Sequence, residues 1–533
     1  ENNKKNRYKN ILPYDSTRVV LRKSAKYSDY INANFIDGYS QLHKFIATQG
    51  PLTRTSEDFW RMVWEQESLI IVMLANVMED GKAKCAKYWP EVGKSCSYGG
   101  YNVETVEEKN YGSYILRTIH LEEIGNEYAS VLRKIQHFQY IRWPDHGVPL
   151  ITSSLIRMHN KVNDEYEDLV KDKAFPIIVH CSAGAGRTGT YIGFDILCDE
   201  MQSKNQVNVY RAVLNMRNQR MDMVQSMKQY VLLHKLLSEC HELGSTAFKP
   251  SELHERIAQH TMLLKEFDNL NLILPMITSS KFAIQHSNKP VNKDINILPY
   301  DHSRVLITTN EKEEAPYLNA SFISEYMVNE STIVAQDPLP INVDVFWRAV
   351  VDNNVNIIVM LSQPGNGETQ DTCLPYYPQE NGSSEKYGEI SVTQMEECTK
   401  QGYVQRKLQV VISTKLLIMQ VMITHLQCVF WKESLKPDDM RNLLNLIAVV
   451  GHLRTEHGSV LIHCCDGAGR SGVFCALNNL IQRLRAEDEI DVFRTVKDLR
   501  DMRPQMVRSF DNYMTCYKGL AEFRSSFDTY ANV

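Results

Sequence analysis

No apolar run in this chain of 533 residues approaches the roughly 18 to 20 residues that span a bilayer; the longest, such as 69–75 and 416–419, are far shorter. The opening stretch ENNKKNRYKN is polar and has no apolar core of the kind a secretory signal carries. Twelve cysteines include no C-x-x-C pair and no histidine partner at zinc spacing, which favours reduced thiols in a cytosolic setting over a disulfide scaffold or metal site. A large excess of positive charge is also lacking. The formal net charge is −5, which argues against a general nucleic-acid binder and still permits a local basic pocket for an anion. Low-complexity tracts are absent. What remains is an ordinary globular composition, 43% hydrophobic and 23% charged, in a chain long enough for two domains of about 250 residues each.

The chain is written twice. Tyr30-Ile31-Asn32-Ala33-Asn34-Phe35-Ile36 recurs as Tyr317-Leu318-Asn319-Ala320-Ser321-Phe322-Ile323. NILPYD from Asn10 recurs at Asn296, Phe59-Trp60 at Phe346-Trp347, IIVML from Ile70 at Ile357, and Cys181 at Cys464, in order and at a nearly constant offset. A tandem duplication follows. In the first copy, short β-branched and aromatic runs predict strands near 30–35, 69–74, 113–120, 134–143 and 175–180, while helical periodicity covers 57–66, 153–170, 190–202, 209–218 and 227–240. The expected class is α/β (α+β), each copy a twisted mixed sheet flanked by helices. A further helix near 251–267 predicts a structured junction and not a floppy tether.

Each copy carries one phosphate-handling cassette. HCSAGAGRTG, from His180, lies between an apolar strand and a helix expected from about Gly189. The backbone amides of Ser182, Ala183, Gly184, Ala185, Gly186 and Arg187 can therefore curl into an anion nest at a helix N-terminus. A cysteine held there ionises readily, which makes Cys181 the candidate nucleophile. Arg187 can reach back with a planar fork that matches two phosphate oxygens. Thr188 offers a hydroxyl to the thiolate or the phosphocysteine, and His180 orients the loop by hydrogen bonding. A nucleotide-binding loop is excluded because GAGRTG lacks the G-K-[ST] lysine and spacing. A buried cysteine in a glycine-rich turn is the plain alternative, and the whole H-C-x5-R-[ST]-G string weighs against it.

On these motifs, copy one resembles a protein tyrosine phosphatase domain, and the duplicate resembles the tandem catalytic region of a receptor-type tyrosine phosphatase. The resemblance implies an active domain over 1–243, a structured linker and leading helix over 244–287, and a second, inactive or weakly active domain over 288–533. It also leads one to expect a helical segment ahead of the NRY loop, where only five residues precede Asn6. It assigns Asp145, in WPDHGVP, as the general acid, and Tyr8, in NRYKN, as the ring that stacks on phosphotyrosine. Asn10 falls where the family contacts the substrate backbone. Gln225, in MVQSMKQY, orients the hydrolytic water with Gln229 as a secondary member, Glu79 holds the catalytic arginine, and Lys84 pairs with the acid-bearing loop. No metal or other cofactor is implied, since loop amides and Arg187 supply the charge stabilisation. The implied partners are phosphotyrosine-containing proteins, with further contacts through the second domain; the resemblance implies that this chain, itself soluble, is the cytoplasmic portion of a single-pass plasma-membrane receptor. A dual-specificity or phosphoinositide phosphatase and a phosphoprotein-binding scaffold are the alternatives.

The second copy keeps Cys464, Arg470 and Ser471, so its cradle is expected still to bind an oxyanion, yet its supporting residues differ. Asp294 stands where Tyr8 stood and Glu433, in WKESLKP, stands at the acid position. Arg508 replaces Gln225, Asn512 replaces Gln229, and Asp466 replaces Ala183, which adds negative charge inside the cradle. Each change opposes turnover. The expected role is regulatory or docking, with the vicinal Cys464-Cys465 pair either a redox sensor or simple packing. The acidic stretch 311–314 and the methionines of 216–227 read as solvated surface and packing.

Overall fold

The computed structural model describes residues 2–23, 27–124, 131–171, 173–273, 275, 278–308, 316–327, 332–365, 372–413, 418–431, 435–455 and 457–531. The expected acid position Glu433 and the acidic stretch 311–314 lie outside them. The chain divides into two compact units, Glu1–Ser245 and Thr246–Val533.

In the first unit the strands are β1 (Arg18–Val20), β2 (Tyr30–Ile36), β3 (Phe45–Thr48), β4 (Ile70–Met73), the small hairpin β5 (Met78–Glu79) and β6 (Lys82–Ala83), β7 (Ser95–Tyr98), β8 (Tyr101–Asn110), β9 (Tyr114–Glu123), β10 (Arg133–Tyr140) and β11 (Ile177–His180). Nine of them form one sheet in the order β1-β2-β3-β11-β4-β10-β9-β8-β7. The middle of that sheet is parallel: β11 pairs with β3 and β4, and β10 with β4. Strands covered on both faces are continuous apolar runs. Thus Ile177, Val179, Phe45, Ala47, Ile70 and Val72 enter one core, and the alternating Ile178, Ile46, Ile71 and Met73 enter the other. Helix α1 (Ser56–Glu65) covers the second core through Phe59, Trp60, Met62 and Val63. Helices α2 (Ser153–Leu169), α3 (Gly186–Lys204), α4 (Val209–Gln219) and α5 (Met227–Leu243) cover the first.

The cassette therefore leaves the carboxyl end of a central parallel strand, the position at which open α/β sheets bind ligands. Two sequence expectations need correction. Helix α3 begins earlier than expected, at Gly186, which puts Arg187 in its first turn. Strands β3 and β8 were not foreseen: β3 is only four residues long, and the outer half of β8 is exposed glutamate and lysine that hide its alternation.

The second unit repeats the plan. An eight-stranded sheet runs β12 (Ala320–Ile323), β13 (Thr332–Gln336), β21 (Ser459–Cys464), β14 (Val355–Met360), β20 (Ile418–Cys428), β19 (Tyr403–Ser413), β18 (Ile390–Lys400) and β17 (Ser384–Tyr387), with a separate short pair β15 (Gln363–Pro364) and β16 (Thr372–Cys373). The predicted helix at 251–267 is two, α6 (Leu253–Ala258) and α7 (His260–Leu272), broken at Gln259. The remaining helices are α8 (Val343–Asp352), α9 (Pro437–Leu453), α10 (Gly469–Glu487), α11 (Val492–Met502) and α12 (Phe510–Ala531). Helix α7 docks on α12, with the Phe267 and Tyr513 rings 5.5 Å apart and Tyr517 donating to Glu266 at 2.9 Å. Among the described residues no helix is long and apolar enough to cross a membrane.

Candidate active site

Cys181 directly follows β11 and is almost fully buried, with the Gly184 amide donating to its sulfur at 3.3 Å. An N–H aimed at sulfur stabilises negative charge there. Gly184 has φ +71°, and a Cβ on it would stand 2.1 Å from the Thr48 carbonyl oxygen, so this position needs glycine for conformation and for space. Behind the loop lies Arg220, which sequence reading missed. Its side chain is fully buried and donates to the carbonyls of Gly184 (2.6 Å) and Ala183 (3.2 Å) and to the side chains of Asn34 (2.7 Å) and Asn32 (2.8 Å). By holding carbonyls outward it turns the amides inward. Burial lowers its pKa to about 10, still charged at neutral pH.

Arg187 is aimed by Glu79, which accepts from both terminal nitrogens at 2.7 and 2.9 Å in a bidentate fork. The same nitrogens reach the carbonyls of Leu74 (3.2 Å) and Pro144 (3.1 Å). Glu79 is buried on the β5–β6 hairpin, and the Asn76 amide donates to it at 2.9 Å. Lys84 lies 3.8 Å from Glu79 and 2.7 Å from Asp145, so it links the arginine's anchor to the Trp143-Pro144-Asp145 loop. The Lys84 hydrogen bond, followed by one from Asp80, holds the Asp145 carboxyl well below the usual carboxylate range, and the Lys84 ammonium is raised in turn, chiefly by its bond to Asp145.

His180 is fully buried, and burial lowers its pKa to about 4, so it is neutral. Its Nδ1 faces the Cys181 carbonyl at 3.2 Å and its Nε2 faces Tyr88 Oη at 2.7 Å; Tyr88 Oη also meets His137 Nε2 at 2.8 Å, and Arg117 lies 3.4 Å from His137 Nδ1. One proton arrangement satisfies all of these: Arg117 donates to His137, His137 to Tyr88, Tyr88 to His180, and His180 to the Cys181 carbonyl. Thr188 Oγ1 is buried and has no hydrogen-bond partner among the described residues, so it is not bonded to Cys181.

The recognition loop is pinned by residues beside Tyr8. Asn6 accepts from Tyr30 (2.6 Å) and Asn32 (2.9 Å), and Arg7 donates to the carbonyls of Gly50 (3.1 Å) and Pro51 (2.8 Å). Tyr8 stands at the rim with its hydroxyl 3.0 Å from Ser182 Oγ; Asn10 is exposed two residues on. The loop before α5 holds Val224 at φ +58°, a strained conformation for a β-branched residue. It is retained by Arg217, which donates to the carbonyls of Met223 (2.9 Å) and Val224 (2.7 Å), and by the Val224 amide on the Ala185 carbonyl at 3.3 Å. Gln225 is thereby tied to the cradle. Gln229 caps α5, accepting from the Gln225 amide at 2.9 Å within a capping box with Ser226.

The second cradle uses the same frame with different contents. Arg503 replaces Arg220 and donates to the carbonyls of Gly467 (2.6 Å) and Asp466 (3.3 Å). Cys464, however, donates to Asp466 Oδ1 at 3.3 Å, and that oxygen also accepts the amides of Ala468 (2.8 Å) and Gly469 (3.0 Å). Burial first, and then the Asp466 carboxylate, push the Cys464 thiol up to about 12. A carboxylate of the chain thus takes two of the amides expected to face an oxyanion, those of Ala468 and Gly469. Arg508 bridges Asp466 (3.4 Å) and Asp294 (3.0 Å) across the mouth. Arg470 donates to the Leu361 carbonyl at 3.3 Å. A second difference lies beneath: Asp337, fully buried, stands where the first unit has Gly50, and it takes His463 Nδ1 at 2.6 Å and Ser362 Oγ at 2.7 Å.

A mixed sheet with a Cys-x5-Arg loop at the carboxyl end of its central strand is present twice, and in the first unit a buried carboxylate grips the loop's arginine. The chain belongs to the protein-tyrosine phosphatase family, whose model matches residues 2–239 and again 288–522. It is 36% identical over 550 residues to receptor-type tyrosine-protein phosphatase alpha of Homo sapiens, covering 100% of this chain and 67% of that protein. It is 34% identical to receptor-type tyrosine-protein phosphatase C of Homo sapiens, over 98% of this chain and 42% of that one. To the Lar-like tyrosine-protein phosphatase of Caenorhabditis elegans it is 35% identical, over 99% of this chain and 24% of the relative. The chain therefore spans between about a quarter and two thirds of these relatives.

Proposed function

We propose that the first unit hydrolyses phosphotyrosine in proteins through a phosphocysteine at Cys181. The observation that carries this reading is a buried sulfur that receives the Gly184 amide at 3.3 Å in a loop whose Arg187 is gripped bidentately by Glu79, with Lys84 joining Glu79 to the Asp145 carboxyl. In the first step the Cys181 thiolate attacks phosphorus in line, the S–P bond forms, and the P–O bond to the phenol breaks. Arg187 and the loop amides stabilise the equatorial oxygens. The leaving oxygen takes a proton from Asp145, whose carboxyl is protonated when the doubly negative phosphoryl group comes near it. In the second step a water positioned by Gln225 attacks phosphorus, the S–P bond breaks, and Asp145, now a carboxylate steadied by Lys84, accepts the proton. Tyr8 at the rim sets a pocket depth that suits an aryl phosphate, which weighs against the dual-specificity, phosphoinositide and scaffold readings.

The second unit is a non-catalytic regulatory or docking domain, and the chain is the cytoplasmic part of a membrane-anchored receptor, in keeping with the relatives' receptor-type names. Rapid acid quench of the chain with a phosphotyrosyl peptide, followed by peptide mass analysis, tests the reading. Phosphate is expected on Cys181. Its absence there while hydrolysis proceeds, or its presence on Cys464, would overturn the proposal.

A further inference from the structure

We propose that the second cradle is an oxyanion site occupied by a ligand of its own, the Asp466 carboxylate, and that this one side chain decides that the second unit binds no phosphate-sized tetrahedral anion. The frame for such an anion is intact. The loop is held from behind by Arg503 through carbonyls of the same two positions that Arg220 grips in the first unit. Gly467, at φ +65°, passes close to the Ala335 backbone, where a Cβ would stand 2.5 Å from the carbonyl carbon, as Gly184 passes close to Thr48. What differs is the occupant. Asp466 Oδ1 receives the Ala468 and Gly469 amides and the Cys464 thiol, and Oδ2 lies 3.4 Å from Arg508. In the first unit the corresponding residue is Ala183, which has no side-chain acceptor to place there. Amides and a guanidinium are the kind of donor that phosphoryl oxygens take, and a carboxylate tethered within the loop meets the Ala468 and Gly469 amides and Arg508 at far higher effective concentration than a free anion.

Arg508 does more than close the mouth. It spans from Asp466 to Asp294, the residue that stands in place of the stacking ring, so the rim is tied to the occupant. An incoming dianion would face both carboxylates as well as a filled nest. The inference concerns the second unit and stands whether or not the first unit proves to be a catalyst.

The test is the stoichiometry of tungstate binding to the full chain by isothermal titration calorimetry. The unmodified chain is expected to bind one tungstate, Asp466→Ala two, and Asp466→Ala combined with Arg470→Met one again. Asp466→Asn, which keeps an oxygen acceptor in the nest, is expected to remain at one. Two sites in the unmodified chain, or no gain in Asp466→Ala, would overturn the proposal. None in the unmodified chain and one in Asp466→Ala would uphold it and remove instead the cradle proposed for the first unit. A second measurement needs no variant that has to fold: tungstate is expected to slow iodoacetamide labelling of Cys181 at least about tenfold while leaving Cys464 unchanged. Protection of Cys464 would contradict the occupied nest.

Discussion

In the first unit an amide points at Cys181, whereas in the second Cys464 points at a carboxylate. The two loops share a strand, a helix start, a glycine at positive φ and a buried arginine behind them. They differ in what is placed in and under the nest: Ala183 and Gly50 in one, Asp466 and Asp337 in the other. The loops are also seated differently. The Gly50 amide donates to the Ser182 carbonyl at 2.9 Å and His180 turns to the Cys181 carbonyl, while the Asp337 amide donates to the Cys464 carbonyl at 2.8 Å and His463 turns to the Asp337 carboxylate. A nest's sign of charge is thus set by a few side chains and not by its backbone, because identical amides favour a thiolate only where no carboxylate competes for them.

The buried arginine behind each loop carries the largest expected effect. Arg220→Met leaves the Gly184 carbonyl and two asparagine side chains without their donor, and it is expected to destabilise the first unit by about 3 kcal/mol, since each buried orphan costs about 1 to 3. It should also lower kcat/KM on a phosphotyrosyl peptide by about 10²-fold or more as the cradle loses its shape. Arg503→Met should destabilise the second unit to a similar extent and leave hydrolysis within about twofold. Urea titrations with parallel rate measurements check both; equal losses of activity would break the comparison.

A smaller effect concerns the acid loop, which only the first unit sets against a described lysine. The Lys84 hydrogen bond is the largest influence lowering the Asp145 carboxyl. Lys84→Met removes it, the carboxyl titrates at higher pH, and the protonated form needed for the first step persists further. The basic limb of the pH profile of kcat/KM should therefore move upward, with a loss at the optimum well short of the 10²-fold or greater cost of losing an acid. A limb that stays in place or moves down would show that Lys84 does not control this proton.

Much of the plan could be read from the residues, and the failures have physical causes. The strand at Tyr30–Ile36 shows as a β-branched and aromatic run and the helix at Ser153–Leu169 through its period, whereas β3, four residues long, is too short to stand out. Glu79, Lys84 and Asp145 were expected near the arginine from the family resemblance alone, since nothing in their spacing reveals that a hairpin and a loop meet there. Arg220 stayed hidden because arginine is normally a surface residue, and its burial follows from carbonyls and asparagines brought in from distant segments. Asp466 was visible as a charge, but its occupation of the nest depends on a rotamer, which sequence does not encode. Asp337 was not singled out, because its partner His463 lies in β21, far along the chain.

If one cradle catalyses and the other does not, Cys181→Ser and Cys464→Ser must part sharply in hydrolysis of one phosphotyrosyl peptide in one assay. Loss of essentially all activity in Cys181→Ser, with Cys464→Ser close to the unmodified chain, is the expected result. Activity that survives in Cys181→Ser and disappears in Cys464→Ser would contradict it.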